Sequence, residues 1–306
     1  MNIEITRINQ GIENDPKGYI RAVNEDYLFK LKKIADDIAE SRAEKPVILL
    51  SGPSGSGKTT TALMIEKMLD DMGYETHTMS MDNWFSPLTE EEKALAAEGR
   101  MDLESPLRVD SELLSRHIED ISACREIELP KYDFKTSSRS NSGKTFRRKE
   151  GELVIFEGIH ALNPEVITVP DSMICKIYVS VRTRISDNEL LLHPSRVRLM
   201  RRMIRDKNFR RRSFRETMNM FRNVEVGENK YIMPYKYRSD YDIDTFMAYE
   251  LSAYKNDLLP QLYELSDVPE VCECISALEK LAAADKKDVS PDSLICEFIG
   301  NGQFKY

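Results

Sequence analysis

The chain has 306 residues, 41% hydrophobic and 31% charged, which are the proportions of a folded globular protein with one large domain or two ordinary ones. No apolar run approaches the ~18–20 residues that cross a bilayer, and the start, Met1 to Arg7, lacks the basic-then-apolar layout of a secretory signal. A cytoplasmic protein with no membrane partner is expected, and the net charge of −8 argues against nucleic acid as a partner, because it repels phosphate polymers.

Residues 1–45 are polar, and Leu28, Leu31, Ile34 and Ile38 recur at helical spacing, which predicts a helical N-terminal extension. Lys45-Pro46 breaks that pattern, and Val47-Ile48-Leu49-Leu50 is the short apolar run of a buried parallel strand. A helix is expected over residues 58–72, stopped by Gly73, and then a second strand over 74–81. Further strands are predicted at 126–129, 153–156, 174–180 and 241–246, with helices at 111–123, 195–207, 214–221, 248–265 and 270–284. This alternation implies an α/β fold with a mostly parallel sheet flanked by helices. No linker divides the chain, so residues 46–290 are expected to form one domain, with 291–306 a tail packed on it. Residues 130–151, rich in Lys, Ser, Thr and Arg, have little regular pattern, and loops of that length in compact domains are usually functional. The five cysteines have no metal or redox spacing and read as reduced thiols.

Between the first strand and the first helix of the sheet lies Gly52-Pro53-Ser54-Gly55-Ser56-Gly57-Lys58-Thr59, which fits G-x-x-x-x-G-K-[ST]. The glycines let the backbone turn its N–H groups onto phosphate oxygens, Lys58 reaches the β/γ region, and the Thr59 hydroxyl can ligate Mg²⁺. A nucleoside triphosphate is the ligand this loop implies. Asp82 closes the second strand at the rim where open α/β sheets bind ligands, placed to take the proton of an attacking hydroxyl and to share the metal shell. Glu157 closes the 153–156 run, where a second metal carboxylate is expected. Residues 196–215 carry ten basic side chains and one acid, Asp206, which leaves −17 on the rest of the chain. At about 100° per residue, Arg198, Arg201, Arg202 and Arg205 share one arc opposite Leu199, Met200, Met203 and Ile204, so one face is expected to pack and the other to bind anions. Arg210, Arg211 and Arg212 follow where the helix should end, as on a lid that closes over a triphosphate.

Five passages together resemble the uridine kinase/phosphoribulokinase family of P-loop kinases: Gly52 to Thr60, Met81 to Phe85, Pro130 to Phe134 with Arg139, Val154 to Pro164, and Arg198 to Asp206. The ending, Ser293 to Gly300, is similar to that of the family's bacterial nucleoside-kinase branch. The resemblance implies a P-loop NTPase-type sheet with an Arg-rich lid and a substrate-binding loop or hairpin insertion. It implies transfer of the γ-phosphate of ATP or GTP, with Mg²⁺, to the 5′-hydroxyl of a nucleoside, uridine or cytidine above all. Asp82 then resembles the general base, assisted by Lys58, Arg201 and Arg205, and Gly52 through Thr60 with Arg210 and Arg212 surround the donor. Asp82, Asp102, Tyr132, Phe134, Arg139 and Arg198 match the acceptor side, and Thr59, Glu157 and Asp82 the metal shell. Longer members of that branch carry a TGS module ahead of the kinase, for which the residues before Lys45 leave no room. Uridine and cytidine kinases place a histidine shortly after the tyrosine that Tyr132 resembles, whereas this chain has Ser137 and Ser138. Another alcohol acceptor, such as a sugar, a sugar phosphate or a pantothenate-like alcohol, therefore stays open. So do a nucleotide-dependent regulatory protein with no acceptor and a homo-oligomeric state.

Overall fold

From the N-terminus the elements are strand β1 (Asn2–Glu4), helices α1 (Ile5–Asn14) and α2 (Pro16–Ser41), strand β2 (Val47–Ser51), helix α3 (Lys58–Asp71), strand β3 (Thr76–Ser80), and helices α4 (Glu90–Ala97) and α5 (Ser111–Ser122). A hairpin of β4 (Ile127–Asp133) and β5 (Ser138–Phe146) precedes β6 (Leu153–Glu157), β7 (Ile174–Ser180) and a small hairpin of β8 (Arg184–Asp187) and β9 (Glu189–Leu192). Then come α6 (Pro194–Arg210), α7 (Phe214–Tyr231), β10 (Tyr241–Asp244), α8 (Glu250–Leu262), α9 (Pro269–Lys280) and the short α10 (Cys296–Ile299). The structure is a computed structural model that describes residues 1–98 and 100–305, so Tyr306, the end of the expected tail, lies outside the described residues.

The central sheet has the order β10-β7-β2-β6-β3, and every pairing in it is parallel. Parallel strands covered on both faces read as unbroken apolar runs, which is why β2, β6 and β7 are buried at every position. On one face Ile48, Leu50, Ile155, Ile177 and Val179 meet α2, α3, α6, α8 and α9. On the other, Val47, Leu49, Val154 and Phe156 pack with Trp84 and with Leu114, Ile118 and Ile121 of α5. The expected α/β fold with a parallel sheet is therefore what forms. Its consequence for chemistry is one shared edge: β3 and β6 pair Ser80 with Glu157, and β2 pairs Leu50 with Glu157, so three strand ends open on one cleft.

Three elements differ from the sequence-based expectation. The N-terminal extension, expected as a helix, adds a strand and part of the core as well: Ile8, Ile12, Ile20, Leu31 and Ile38 join the larger apolar cluster, and β1 adds a parallel strand beside β8. The apolar stretch at 126–129 does not enter the central sheet but begins the β4–β5 hairpin, and the pattern-poor region 130–151 supplies its second strand. β5 has no buried residue along its length, so it lacks the alternation that marks a half-buried strand. Helix α7 runs ten residues past the expected end at Phe221, entered through a capping box in which Ser213 and Glu216 satisfy each other's backbone N–H groups. Among the described residues no helix is long and apolar enough to cross a membrane.

Candidate functional site

The loop after β2 is tight because its neighbours leave no room for side chains. A Cβ on Gly52 would stand 2.1 Å from the Val179 carbonyl oxygen, and Gly57 has φ of +83°, the left-handed region that glycine enters without strain. Gly57 is the N-cap of α3 and supplies no side-chain cap, so the first N–H groups of the helix face the loop's interior, where an anion can satisfy them. The Lys58 ammonium folds back along the loop and donates to the Pro53 carbonyl at 3.3 Å.

Over this loop lies a cleft of about 560 Å³, walled by Ser54, Gly55, Gly57, Lys58 and Thr59 on one side and by Asp82, Glu104 and Glu157 on another. Arg202, Arg205, Arg210 and Arg212 border it, with Phe85, Leu103 and Phe134 as apolar surface and Glu297 from the C-terminal tail. Asp82 sits in the single turn Met81–Trp84, where its N–H donates to the Ser80 hydroxyl at 3.4 Å. Burial pushes its carboxyl above the usual carboxylate range, opposed by the Lys58 and Arg210 cations. Glu157 is pushed up to about 7, first by burial and further by Asp82, against the pull of Lys58. Two buried carboxyls beside one ammonium, with Asp82 raising Glu157 further, make a set short of positive charge. Hard oxygen donors of this kind, with the Thr59 hydroxyl in the same wall, fit a divalent cation such as Mg²⁺.

The basic helix divides differently from the expectation of an anion-binding face. Arg201 is fully buried: it forms a two-pronged ion pair with Glu250 at 2.6 and 2.9 Å and donates to the Gly55 and Thr245 carbonyls at 3.1 and 2.7 Å. It holds the phosphate loop from behind and does not border the cleft, which corrects its assignment as a catalytic lid residue. Arg198 is likewise turned inward, pairing with both oxygens of Glu228 at 2.6 and 2.7 Å and donating to the Ser54 carbonyl at 3.0 Å, so it is corrected from acceptor ligand to loop support. Arg202, on the same arc, does face the cleft, with Nη1 on the Ser54 hydroxyl and its buried Nε without a partner among the described residues. Arg205, Arg210 and Arg212 gather around the fully buried Asp206, at 3.0, 3.4 and 3.7 Å. Arg211 caps the end of α6 in the left-handed region, with φ of +55°.

On the acceptor side, Phe134 faces the cleft but Tyr132 stands behind it, its ring edge-on to Phe85 and Phe134 and its hydroxyl accepting from Arg108 at 2.9 Å. Arg139 is paired with Asp110 at 2.8 Å and donates to the Trp84 carbonyl at 3.4 Å, tying the hairpin to the Asp82 turn, and it does not line the cleft. Asp102 is exposed, holds the Tyr231 hydroxyl at 2.9 Å and lies outside the cleft. The carboxyl in the wall is Glu104, pushed up to about 7 by burial. Sequence reasoning missed Glu104 and Glu297: the first stands two residues from the chosen Asp102, and the second lies inside the Ser293 to Gly300 ending that carried resemblance but no role. Gly52, Pro53 and Ser56 complete the loop behind the lining residues, and Thr60 is buried in the first turn of α3 with its N–H and hydroxyl on Glu297.

A family model described as the phosphoribulokinase/uridine kinase family matches residues 47–252. The uridine kinase of Staphylococcus haemolyticus (strain JCSC1435) is 32% identical over 202 residues, which are 65% of this chain and 86% of that protein. The uridine kinase of Staphylococcus aureus (strain JH9) is 30% identical over 197 residues, 63% of this chain and 84% of that one. Among solved structures, a candidate fructose transport system kinase from Silicibacter sp. TM1040 aligns over 70% of this chain and 98% of its own, with a TM-score of 0.54 at 16% identity, a likeness of fold.

Proposed function

The chain belongs to the phosphoribulokinase/uridine kinase family and is a kinase of that family, and from this premise we propose that it transfers the γ-phosphate of ATP or GTP to the 5′-hydroxyl of a nucleoside, uridine or cytidine first among them. The observation that carries the reading is the placement of Asp82 and Glu157 beside Lys58 at the mouth of the phosphate loop. A protein that only senses nucleotide has no need of an acceptor base there.

In this reading the loop amides and Lys58 bind the β- and γ-phosphates, and the N-terminus of α3 adds its partial positive charge. Thr59, Asp82 and Glu157 would hold Mg²⁺, which when bound neutralises phosphate charge and lets both carboxyls ionise. Burial raises the proton affinity of Asp82, so its carboxylate is a stronger base toward the acceptor hydroxyl than an exposed aspartate. Glu104 can accept from the acceptor's other hydroxyls, while Phe85 and Phe134 give an apolar surface against which a ring can lie. Arg202, Arg205, Arg210 and Arg212 concentrate positive charge where the transferring group becomes most anionic. The catalytic unit spans residues 46–290, framed by the N-terminal extension and the tail 291–306, and works in the cytoplasm.

One observation favours a different alcohol of the same size. The hairpin presents Ser137 and Ser138 in place of a base-reading histidine, and the Tyr132 hydroxyl is already engaged by Arg108. A screen of nucleosides and polyols for acceptor-dependent ADP formation, with the product identified by mass, tests both readings. Uridine or cytidine phosphorylated at the 5′ position supports the first, and a phosphorylated polyol supports the second. Asp82→Asn should lower turnover ~100- to 10,000-fold while nucleotide still binds. Near-normal turnover in that variant removes Asp82 from the reaction.

A further inference from the structure

The C-terminal tail meets the phosphate loop at three points. Leu294 lies against Gly57, so close that a Cβ there would touch it at 2.9 Å. Phe298 packs under Arg201, 5.1 Å from ring centre to guanidinium, and that same guanidinium holds the Gly55 carbonyl. Between them Glu297 turns into the cleft, where its Oε2 accepts from the Thr60 hydroxyl at 2.7 Å and, at 3.4 Å, from the Thr60 backbone N–H.

That N–H belongs to the first turn of α3, the turn whose amides the loop directs toward an anion. A carboxylate in this position makes the hydrogen bonds that a phosphate oxygen would make. It does so in a cleft already holding Asp82, Glu104 and Glu157, and it contributes to the upward shift of Glu157, so packing economy alone does not account for an acid there. The anchors of the tail are separate from this acid. Leu294, Ile295 and Phe298 are buried, and the Ser293 hydroxyl bonds the Tyr249 hydroxyl at 2.5 Å, whereas Glu297 is half-buried and the chain turns away after it at Gly300, with φ of +85°. Leu294 and Ile295 can stay seated while the acid leaves Thr60 and the short turn that carries it loosens.

We infer that Glu297 is a built-in competitor for the nucleotide: its carboxylate occupies the Thr60 end of the phosphate loop in the free protein and is displaced when a nucleoside triphosphate takes those donors. The inference rests on reading the loop as the triphosphate site. Each binding event then carries the cost of releasing one carboxylate, and loosening of the tail reports occupancy of the loop.

The test is calorimetric titration of the full chain and of Glu297→Gln with Mg²⁺-ATP, alongside amide hydrogen exchange over residues 294–300. Glutamine keeps an acceptor for Thr60 and removes the charge, so it should tighten ATP binding roughly 3- to 10-fold, the scale expected for one charge at a helix N-terminus. The gain should shrink at high salt. Glu297→Asp, which keeps the charge, should bind like the parent, and ATP should speed exchange at residues 296–300 in the parent protein. Equal or weaker binding by Glu297→Gln overturns the competitor role while leaving the loop as the site, provided that Lys58→Ala abolishes binding. Binding that survives Lys58→Ala, or no binding in either protein, overturns the loop reading and this inference with it.

Discussion

Arg201 and Arg202 are adjacent on one helix and both are buried, yet their charges live in opposite circumstances. Arg201 is enclosed with Glu250, two carbonyls and the Phe298 ring, and that pairing holds its guanidinium even more firmly protonated than usual. Arg202 has a hydroxyl for one nitrogen, and burial together with Arg205 pulls its guanidinium down to about 10. The acids divide in the same way: Glu228 and Glu250 each face an arginine, while Glu157 faces Asp82 and is pushed up to about 7. Behind the phosphate loop the protein has completed its own charge pairs, and in front of it the charges wait for a ligand. A buried charge left incompletely paired marks the site more sharply than a count of basic residues does.

The largest effect expected from this contrast is on folding. Arg201→Met should destabilise the protein by about 3–5 kcal/mol in urea unfolding, because it strands Glu250 without a partner. Adding Glu250→Leu should recover much of that loss, since two apolar residues replace a pair whose desolvation was itself costly. If Arg201→Met kept full stability and lost turnover instead, Arg201 would belong to the front of the loop and the contrast would fail.

Next in size is the pH dependence on the open side. The Glu157 carboxyl is held at about 7 against an ordinary value of 4.5, so the folded protein keeps a proton that the unfolded chain releases as pH rises between those values. Stability is therefore greatest below the lower value and falls as pH climbs through the upper one, by about 3 kcal/mol for that shift. Unfolding curves for the ligand-free protein and for Glu157→Gln should converge or cross in this way between pH 5 and pH 8. Saturating Mg²⁺-ATP should flatten the dependence, because a cation beside the carboxylate removes the reason to hold the proton. A parent protein with the same slope as Glu157→Gln would mean that the carboxyl is already compensated.

Most of the frame was legible in the sequence because parallel strands buried on both faces leave apolar runs, and the loop and strand-end acids follow them at fixed offsets. Lys58, Thr59, Asp82 and Glu157 stand at those offsets, and the structure brings them to one cleft. What escaped needed the third dimension. Helical phase puts Arg198, Arg201 and Arg202 on one arc, but it does not tell which of them meets an acid from α7 or α8 that is far away in sequence. Asp102 and Glu104 differ only in which way an irregular segment turns, and Glu297 reaches Thr60 across 237 residues. The hairpin strand β5 carries no buried face, so it gave no periodic signal.

The smallest expected effect is also the most selective. Arg210 and Arg212 are partly exposed and share Asp206 with Arg205, so replacing both with glutamine leaves that acid one close arginine and should shift unfolding by only about 1 kcal/mol or less. Both nevertheless border the cleft, and the charge they supply matters most when the transferring group is most anionic. Turnover in the double variant should therefore fall roughly 10- to 100-fold, about 1.4–2.7 kcal/mol of transition-state stabilisation, while the Kd for nucleotide changes less. Stability and turnover measured on one sample separate this pair from Arg201, for which the loss should appear in unfolding first. A double variant that lost stability without losing turnover would place the lid arginines with the closed side of the loop and leave Lys58 and Arg202 as the cations that meet the donor.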